Sequence, residues 1–354
     1  MIRTAIIGCG AAGRGHIKAA QTQKGRVSVV AVADVRADVA RQTAADFGIP
    51  VWYSDCAELM AKEALDYVTV TVPSDRHCEV VLQAAKNGLH VLCEKPIANT
   101  VEEGTCMVEA MREAKRLLGI TYVYRFVPDT AKIKEVLDSG AIGKLLEVRY
   151  TRLGGGIFHA LQKPPEGTEE RRRLDMIYER EFGAHFDCGV HALDLFRWFT
   201  GSDARHITAQ GTSHMGYDYN DAGTGILEME NGVRCIYDCG PVPKFADHGG
   251  HIFAIVCSGT EGTIHWRFSG EKNTDDAGWH TTVDVHTQDG KAHHEYPTYD
   301  KSRDLQHRQF AEAVPRGTLE GTAFPSPEDA VAVTALGLQF IDAMQSNQST
   351  SPLR

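Results

Sequence analysis

Three side chains in this sequence, Lys95, Asp187 and His191, have the types and settings to do chemistry together. Lys95 follows an apolar run in the stretch VLCEKPIAN and stands directly before Pro96. Proline fixes its own φ and restricts the residue before it, so Lys95 is a charged side chain on a stiff backbone. Such a lysine can donate a hydrogen bond to an oxygen on which negative charge develops. On the motif alone, an ordinary surface turn stays open as the alternative.

The pair Asp187 and His191 lies four residues apart in the stretch FGAHFDCGVHALDLFRWFTG. On one continuous helix, this spacing puts both side chains on the same face. The carboxylate would then orient the imidazole ring and favour its protonated form, as suits a general acid or base. A structural ion pair on a buried helix explains the pair equally well, so both interpretations stay open.

The N-terminal segment AIIGCGAAGRGH contains the spacing Gly8-x-Gly10-x-x-Gly13 between a strand pattern and a helix pattern. In this context the glycines, with Ala11 and Ala12 between them, predict a dinucleotide site. The reason is that a backbone without side chains can approach a pyrophosphate at a helix N-terminus. The alternative is a tight strand–helix turn that binds no ligand.

An acidic residue, Asp34, comes 21 residues after Gly13 and ends the second strand pattern. We expect its carboxylate to accept both hydroxyls of the adenosine ribose. Because a carboxylate repels a 2′-phosphate, NAD is favoured over NADP, although the nearby Arg36 weakens that preference.

A second group of cofactor contacts is expected in the stretch VTVTVPSDRH. Thr71 and Pro73 follow the fourth strand, so they should lie at the carboxyl edge of the sheet, where such folds bind ligands. His77 could also contact the cofactor, but a structural role at the start of a helix is equally compatible with the local sequence.

The elements that must position these residues change in character along the chain. The first 120 or so residues alternate strand and helix patterns, including a helix predicted over Thr100–Leu118, and indicate a doubly wound parallel sheet of the Rossmann type. Later segments alternate with period two, and Asn231-Gly232 is typical of a hairpin turn. We therefore predict a dinucleotide-binding domain over residues 1–122. An α+β domain with a large open, mostly antiparallel sheet is predicted over residues 123–354, for substrate binding and oligomerisation.

Composition excludes several classes of function. The formal net charge is −10 and no long basic run occurs, which argues against a nucleic-acid partner. No stretch of 18 apolar residues and no secretory signal is seen, so we expect no membrane span and a cytoplasmic location. The nine cysteines are scattered without a Cys-x-x-Cys pair, which favours reduced thiols and predicts no metal site.

Taken together, the glycine motif, Glu-Lys-Pro at the end of the fifth strand and Asp-x-x-x-His in the second domain resemble one family. It is the glucose–fructose oxidoreductase / inositol dehydrogenase / rhizopine-catabolism (Gfo/Idh/MocA) family, and the resemblance covers nearly the whole chain. The segment TYVYRFVPDTAKIKEVLDSGAIGKLLEVR is similar to the part of the family's sequence that links the two domains.

The resemblance implies an NAD-dependent oxidoreductase that acts on a secondary alcohol of a sugar, polyol or glycoside and forms a homodimer or homotetramer. Lys95, Asp187 and His191 match the catalytic, substrate-binding set, with Lys95 also beside the nicotinamide and often before a cis proline. Glu94 matches a position that contacts the nicotinamide region. Arg125 matches an arginine near the cleft, where cofactor and substrate lie.

Two alternatives on the same fold stay open. One is an NAD-assisted glycosidase that oxidises a sugar, eliminates the glycosidic substituent and reduces the sugar again. The other is a non-catalytic NAD-sensing regulator, although the retained lysine, aspartate and histidine argue against it. The long charged stretch over residues 154–182 is predicted to be either a lid or a solvated excursion, with Arg152, His159 and the Arg171–Arg173 cluster as possible substrate contacts.

Overall fold

The structure is a computed structural model and describes residues 1–154, 163–241, 252–269, 280–297, 302–346 and 349–350. Contacts between Cα atoms divide the chain into two compact units. Unit 1 comprises residues 1–126 and 300–334, and unit 2 comprises residues 127–299 and 335–354. The boundary at residue 122 stays a prediction, but residues 300–334 return to unit 1 instead of remaining with the second domain.

Unit 1 is built on a six-stranded sheet with the strand order β3-β2-β1-β4-β5-β6, in which every neighbouring pair is parallel. This confirms the predicted doubly wound sheet. Its strands are β1 (Ile2–Ile7), β2 (Val27–Ala33), β3 (Val51–Tyr53), β4 (Tyr67–Val70), β5 (His90–Cys93) and β6 (Leu118–Ile120). The strand order reverses between β1 and β4, and a fold of this kind binds its ligand at the carboxyl edge beside such a point.

The strands of unit 1 alternate with helices, as right-handed crossovers require. These are α1 (Ala11–Thr22), α2 (Ala37–Phe47), α3 (Cys56–Lys62), α4 (His77–Lys86) and α5 (Val101–Glu113), with short 3₁₀ turns at Ser74–Arg76 and Val123–Phe126. The helix predicted over Thr100–Leu118 was too long. It ends at Glu113 because Lys115 takes a φ of +54°, which a helix cannot continue, and Leu118 then enters β6.

The returning segment belongs to unit 1 because its apolar side chains complete that unit's core. It contains α10 (Ser302–Ala313), a 3₁₀ turn at Val314–Arg316 and the first part of α11 (Pro327–Ser346). Phe310 packs edge-on against Tyr67 of β4 with ring centroids 5.2 Å apart. Phe324 contacts both Phe310 and Phe126 in the same buried cluster. The segment is 230 residues or more from β4 in sequence, so no local pattern predicts this contact.

Unit 2 is built on a nine-stranded sheet with the order β14-β13-β12-β11-β7-β10-β9-β8-β15. Only β7 and β10 pair in parallel, so the prediction of a mostly antiparallel sheet is confirmed. The strands are β7 (Leu145–Leu153), β8 (Ala204–Thr212), β9 (Ala222–Met229), β10 (Arg234–Gly240), β11 (Ile252–Gly259), β12 (Gly262–Ser269), β13 (His280–Thr287), β14 (Gly290–Pro297) and β15 (Ser349–Thr350).

The helices of unit 2 are α6 (Pro128–Asp138), α7 (Glu169–Arg180), α8 (Ala184–Asp187) and α9 (Val190–Thr200), together with the end of α11. Eight of the eleven residues of helix α9 are buried. A helix that is apolar almost all round must lie inside the fold, so its polar members are held in place by their surroundings.

The charged stretch over residues 154–182 is in part a helix, which the sequence interpretation missed. Thr168 caps α7 by accepting the backbone N–H of Arg171 at 3.1 Å. The charges of α7 are then paired along the helix, because the Arg171 guanidinium lies 2.7 Å from Asp175 at i,i+4. Arg152 lies in β7 with its guanidinium over the ring of Phe253. His159 lies outside the described residues.

Candidate active site

The glycine loop after β1 is packed so closely that only glycine fits at two of its positions. Gly8 has a φ of +98°, and an added Cβ would lie 2.7 Å from the carbonyl oxygen of Thr71. At Gly13 a Cβ would lie 2.0 Å from the carbonyl oxygen of Gly8. The Thr71 hydroxyl donates to that same Gly8 oxygen at 2.7 Å. Thr71 therefore fixes the loop from the neighbouring strand, and its hydroxyl is engaged by the protein itself.

The middle of the loop is open, in contrast to its two ends. Gly10 is the N-cap residue of α1, and a Cβ there would meet no atom of the described residues within 4 Å. Ala11 and Ala12 form the first helical turn, which contains no acidic residue. Backbone N–H groups at an open helix N-terminus attract phosphate oxygens. These residues therefore fit the pyrophosphate of a dinucleotide.

The carboxylate of Asp34 lies beside this loop at the end of β2. Its side chain is only 9% exposed. One oxygen accepts the N–H of Cys9 at 2.9 Å, and the other accepts the N–H of Arg36 at 3.0 Å. The largely exposed Arg36 guanidinium lies 3.4 Å from the second oxygen. The Arg36 Nε–H also donates to that second oxygen, whereas the first oxygen keeps a further lone pair and can accept a ribose hydroxyl.

The segment Glu94-Lys95-Pro96 follows β5 at the same edge of the parallel sheet, and the Lys95–Pro96 peptide bond is cis. The Glu94 carboxylate is held by several hydrogen bonds. One of its oxygens faces His16 at 3.0 Å, and the other accepts the Thr121 hydroxyl at 2.9 Å and the Lys95 N–H at 3.2 Å. Burial alone would raise the pKa of Glu94, but the hydrogen bond from His16 and the charges of Arg303 and Lys95 lower it well below its usual range.

His77 has a structural position that the sequence left open. Its ring is buried, with Nδ1 facing the carbonyl oxygen of Pro96 at 2.9 Å and Nε2 facing that of Val72 at 3.0 Å. Burial lowers its pKa. The Ser74 hydroxyl adds a bond of 2.6 Å to Asn99. The loop after β4 is therefore tied to the loop after Lys95, and both ring nitrogens of His77 face the protein.

The remaining two predicted cofactor contacts of unit 1, Pro73 and Arg125, lie beside or within 3₁₀ turns. Pro73 precedes the 3₁₀ turn at Ser74–Arg76 as its N-cap residue. Arg125 lies in the 3₁₀ turn at Val123–Phe126, where it is 9% exposed. An arginine is seldom buried to this extent unless its guanidinium is hydrogen-bonded, so the fold holds its position.

In unit 2, Asp187 and His191 do not share one regular helix, which corrects the sequence interpretation. Asp187 is the last residue of α8, and His191 is the second residue of α9. At the junction, Gly189 donates to an oxygen five residues back, whereas the His191 N–H lies 3.3 Å from the Cys188 oxygen, three residues back. Mixed spacing of this kind breaks a helix locally. Cys188 and Gly189 keep helical angles, so the chain continues in nearly the same direction.

Buried polar side chains pack against the junction between α8 and α9 and hold it in place. A Cβ on Gly189 would lie 2.1 Å from the His185 carbonyl oxygen and 2.8 Å from the Tyr237 hydroxyl. The His185 ring meets that hydroxyl at 2.8 Å, and burial lowers the pKa of His185 to about 3. Phe182, five residues before Asp187, has a φ of +57°. A non-glycine residue in this region costs about 1 kcal/mol or more and tends to occur at functional sites.

Three side chains near Glu94 were missed at the sequence level. They are His16 on α1, Thr121 after β6 and Arg303 on α10, whose guanidinium lies 4.0 Å from the Glu94 carboxylate. His16 offered a signal, because it stands three residues after Gly13 on the buried side of α1. Arg303 offered none, since its approach depends on the returning segment.

The described part of the chain shows neither a group of metal-binding side chains nor a helix that could cross a membrane. No three His, Cys, Asp or Glu side chains among the described residues are grouped so that they could hold a metal ion. Across those same ranges, no helix combines the length and apolarity needed to cross a membrane.

Comparison with known proteins places these two units in a family. Residues 2–122 match the sequence profile of the oxidoreductase family with an NAD-binding Rossmann fold, and residues 130–265 match the GFO/IDH/MocA C-terminal domain. Scyllo-inositol 2-dehydrogenase (NAD(+)) of Bacillus subtilis is 25% identical over 269 residues, which are 74% of this chain and 73% of that protein. D-apiose dehydrogenase of Paraburkholderia graminis is 28% identical over 81% of this chain and 70% of its own length.

Solved structures give the same fold. An oxidoreductase from Agrobacterium radiobacter, solved in complex with NAD+, L-tartaric acid and magnesium, superposes with a TM-score of 0.82. The match covers 99% of this chain and 98% of that one at 22% sequence identity. Since both family profiles match in order along the chain, the resemblance drawn from the motifs is confirmed. The chain belongs to the Gfo/Idh/MocA family of oxidoreductases and is an NAD-dependent enzyme.

Proposed function

We propose that this enzyme transfers a hydride between a secondary alcohol of a sugar, polyol or glycoside and NAD. The substrate class is supported by the names of its relatives, which are dehydrogenases of scyllo-inositol and of D-apiose. One observation carries the proposal: Lys95 is held at the same sheet edge as the glycine loop, in a segment anchored by Glu94 and His77. Such anchoring suits a group that must meet a reacting oxygen with little freedom.

The cofactor contacts are proposed from the fit of unit 1. Gly8, Gly10, Ala11, Ala12 and Gly13 would receive the pyrophosphate. The ribose would be bound by Asp34, with Arg36 beside it. The nicotinamide half would meet Thr71, Pro73, Glu94, Lys95 and Arg125, whereas His77 would act by holding the loop. When bound, NAD supplies the acceptor or donor of the hydride.

The protein's own chemistry is the movement of one proton and the stabilisation of one charge. Lys95 would donate a hydrogen bond from its ammonium group to the reacting oxygen and so lower the energy of the developing negative charge. His191 would accept the hydroxyl proton in the oxidation direction and return it in the reduction direction. Asp187 would orient His191. We also propose that Arg125 contacts the substrate.

The experiment that tests the function uses purified protein, trace NAD and a panel of polyols, aldoses and aryl glycosides. Nicotinamide absorbance and aglycone release are followed together. Stoichiometric NADH without cleavage is the expected result, and it would name the substrate. Cleavage without NADH accumulation would replace the proposal with the NAD-assisted glycosidase. If NAD binds tightly but both signals stay silent, also with NADH and keto-sugars, the NAD-sensing regulator replaces it.

The catalytic assignment is tested by Lys95→Met and His191→Asn. Each should lower kcat by about 100- to 10,000-fold, the usual loss for a removed acid–base or charge-stabilising group. The dissociation constant of NAD should change by less than about threefold, since neither side chain is proposed to hold the pyrophosphate or the ribose. Lys86→Met, which removes an exposed lysine from α4, is the matched control. Wild-type turnover in both site variants would refute the assignment.

We propose a homodimer or homotetramer that associates through the outer face of the unit 2 sheet. On β9 this face presents Ile226, which is 42% exposed and pairs in register with Ile236 of β10. Ile236 is itself buried, so Ile226 is the exposed apolar side chain of this pair, and such a side chain on a sheet surface favours association. Light scattering during size exclusion should give a smaller species for Ile226→Glu than for the wild type.

We further propose a reducing, cytoplasmic location. All nine cysteines are free thiols in the structure, including Cys235 and Cys239 of β10, which burial makes inert. Free thiols persist where the compartment keeps them reduced.

A further inference from the structure

A continuous chain of four buried polar side chains runs through unit 1 and ends at Glu94. The Tyr67 hydroxyl lies 2.9 Å from Nδ1 of His307. Nε2 of His307 lies 3.0 Å from Nδ1 of His16, and Nε2 of His16 lies 3.0 Å from the Glu94 carboxylate. Tyr67, His16 and His307 are each 0% exposed. The chain therefore crosses the interior from β4 to the Glu94-Lys95-Pro96 segment.

The ionised carboxylate at the end of the chain fixes which nitrogen of His16 donates to it. Glu94 can only accept, so His16 donates to it from Nε2. With Nδ1 of His16 as the acceptor of the next bond, His307 donates to it from Nε2. His307 is neutral because burial lowers its pKa well below the usual value. Its Nδ1 therefore accepts the Tyr67 hydroxyl, and every donor points towards Glu94.

The two ends of the chain explain why this direction matters. At the inner end, Tyr67 packs among apolar rings such as Phe310, so its proton has no solvent partner to compete for it. At the outer end, the other oxygen of Glu94 accepts the Lys95 N–H and the Thr121 hydroxyl. The orientation of the Glu94 carboxylate thus sets the backbone of Lys95.

We propose that His16, His307 and Tyr67 are positioning residues for hydride transfer: their one-directional hydrogen-bond chain orients ionised Glu94 and, through it, Lys95. This inference rests on the proposed function, because Lys95 is the group whose position matters. His307 comes from the returning segment, so the role assigns a function in the reaction to residues 300–334.

The charged and titratable neighbours of the chain are few. Glu94 faces His16 of α1 and Arg303 of α10, and it interacts electrostatically with Lys95, Cys93 and His77. His307 also interacts electrostatically with Arg303, and Tyr67 interacts with Asp66. Burial keeps Cys93 protonated.

The test is Tyr67→Phe, which keeps the ring packing but removes the first donor. Nδ1 of His307 then loses its partner, so the chain that holds His16 and Glu94 in place is loosened. We expect kcat to fall by about two- to tenfold, with the dissociation constant of NAD changed by less than about threefold. Tyr53→Phe, which removes a phenolic hydrogen bond to Glu63 elsewhere in unit 1, is the control.

A pair of variants at His307 supplies the rescue. His307→Gln keeps one acceptor and one donor, so we expect at least about half of the wild-type kcat. His307→Leu removes both, and we expect a loss of about tenfold or more. An unchanged kcat in Tyr67→Phe, or equal losses in the two His307 variants, would overturn the proposal and leave a purely structural role.

A spectroscopic measurement separates this proposal from the proposed function. Nitrogen NMR of protein labelled in its histidines should show His16 and His307 protonated on Nε2, and Tyr67→Phe should change the signal of Nδ1 of His307. This signal needs no substrate, so it can be positive even if scyllo-inositol and the rest of the panel are not turned over. A proton on Nδ1 of His16 in the wild type would overturn the chain itself, whatever the activity.

Discussion

The choice between NAD and NADP provides the sharpest test of the cofactor site, through Asp34→Asn. The wild-type carboxylate lies at the end of β2 with one oxygen on the Cys9 N–H at 2.9 Å. Asparagine keeps an oxygen for that bond but removes the negative charge. The substitution therefore separates electrostatics from the position of the glycine loop.

The expected size follows from Coulomb's law. A 2′-phosphate carries about −1.5 to −2 charges. At about 5 Å, with an effective dielectric constant of about 40, one carboxylate repels it by about 3 kcal/mol, or about 100-fold in affinity. The Arg36 guanidinium lies 3.4 Å from the carboxylate but is 65% exposed, so it offsets part of this repulsion. We expect a discrimination of about 10- to 100-fold to be lost.

Calorimetric titration with NAD and with NADP measures this without any substrate. The ratio of the two dissociation constants should move towards NADP by about 10- to 100-fold in Asp34→Asn. Asp34→Ala should change the ratio similarly but should also weaken both cofactors and lower stability, because it leaves the Cys9 N–H without its acceptor. An unchanged ratio in Asp34→Asn would refute the ribose role.

Two further predictions concern the loop and the helix junction. Gly13→Ala should lower the Tm by about 5 °C or more, because its Cβ would lie 2.0 Å from the Gly8 oxygen. The Cβ of Gly10→Ala would meet nothing within 4 Å, so this variant should keep the wild-type Tm. It should nevertheless weaken NAD binding, because the added methyl group blocks the approach of the pyrophosphate. Equal losses of Tm in Gly10→Ala and Gly13→Ala would contradict this reasoning. Burial lowers the pKa of His185 to about 3, so the unfolded chain binds the extra proton between about pH 6.5 and pH 3. The contribution of neutral His185 to the free energy of unfolding is complete above about pH 6.5 and is lost as the pH falls. Between pH 7 and pH 4, guanidinium unfolding should therefore show that His185→Gln loses about 1–3 kcal/mol less of its free energy of unfolding than the wild type does. An equal loss would show that His185 is not held neutral.

Much of the fold could be predicted because its signals are local. A strand buried on both faces, such as Val27–Ala33, reads as an unbroken apolar run, and the structure has β2 with the same bounds. The helix over Ala37–Phe47 ends at Gly48, whose φ of +63° suits glycine. Helix α7 was missed because its charges resemble those of a loop unless the cap at Thr168 is recognised.

The geometry around the candidate site was predictable where its signals are local. The turn at Gly8, Gly10 and Gly13 could be predicted because the spacing of the glycines, the strand and the helix all lie within one short segment. Asp187 and His191 were identified as a pair, but not the break between α8 and α9. That break depends on Gly189 packing against Tyr237 of β10, which is a contact distant in sequence.

The sequence by itself determined the alternation of strands and helices, the dinucleotide loop and the lysine before Pro96, because each depends on a few neighbouring residues and on backbone sterics. Only the tertiary structure decided that residues 300–334 complete the core of unit 1. It also decided that His16, His307 and Tyr67 meet inside that unit in a hydrogen-bonded chain that ends at Glu94. The physical reason is that burying Phe310 and Phe324 against β4 brings together side chains almost 300 residues apart, and no local pattern records such a contact.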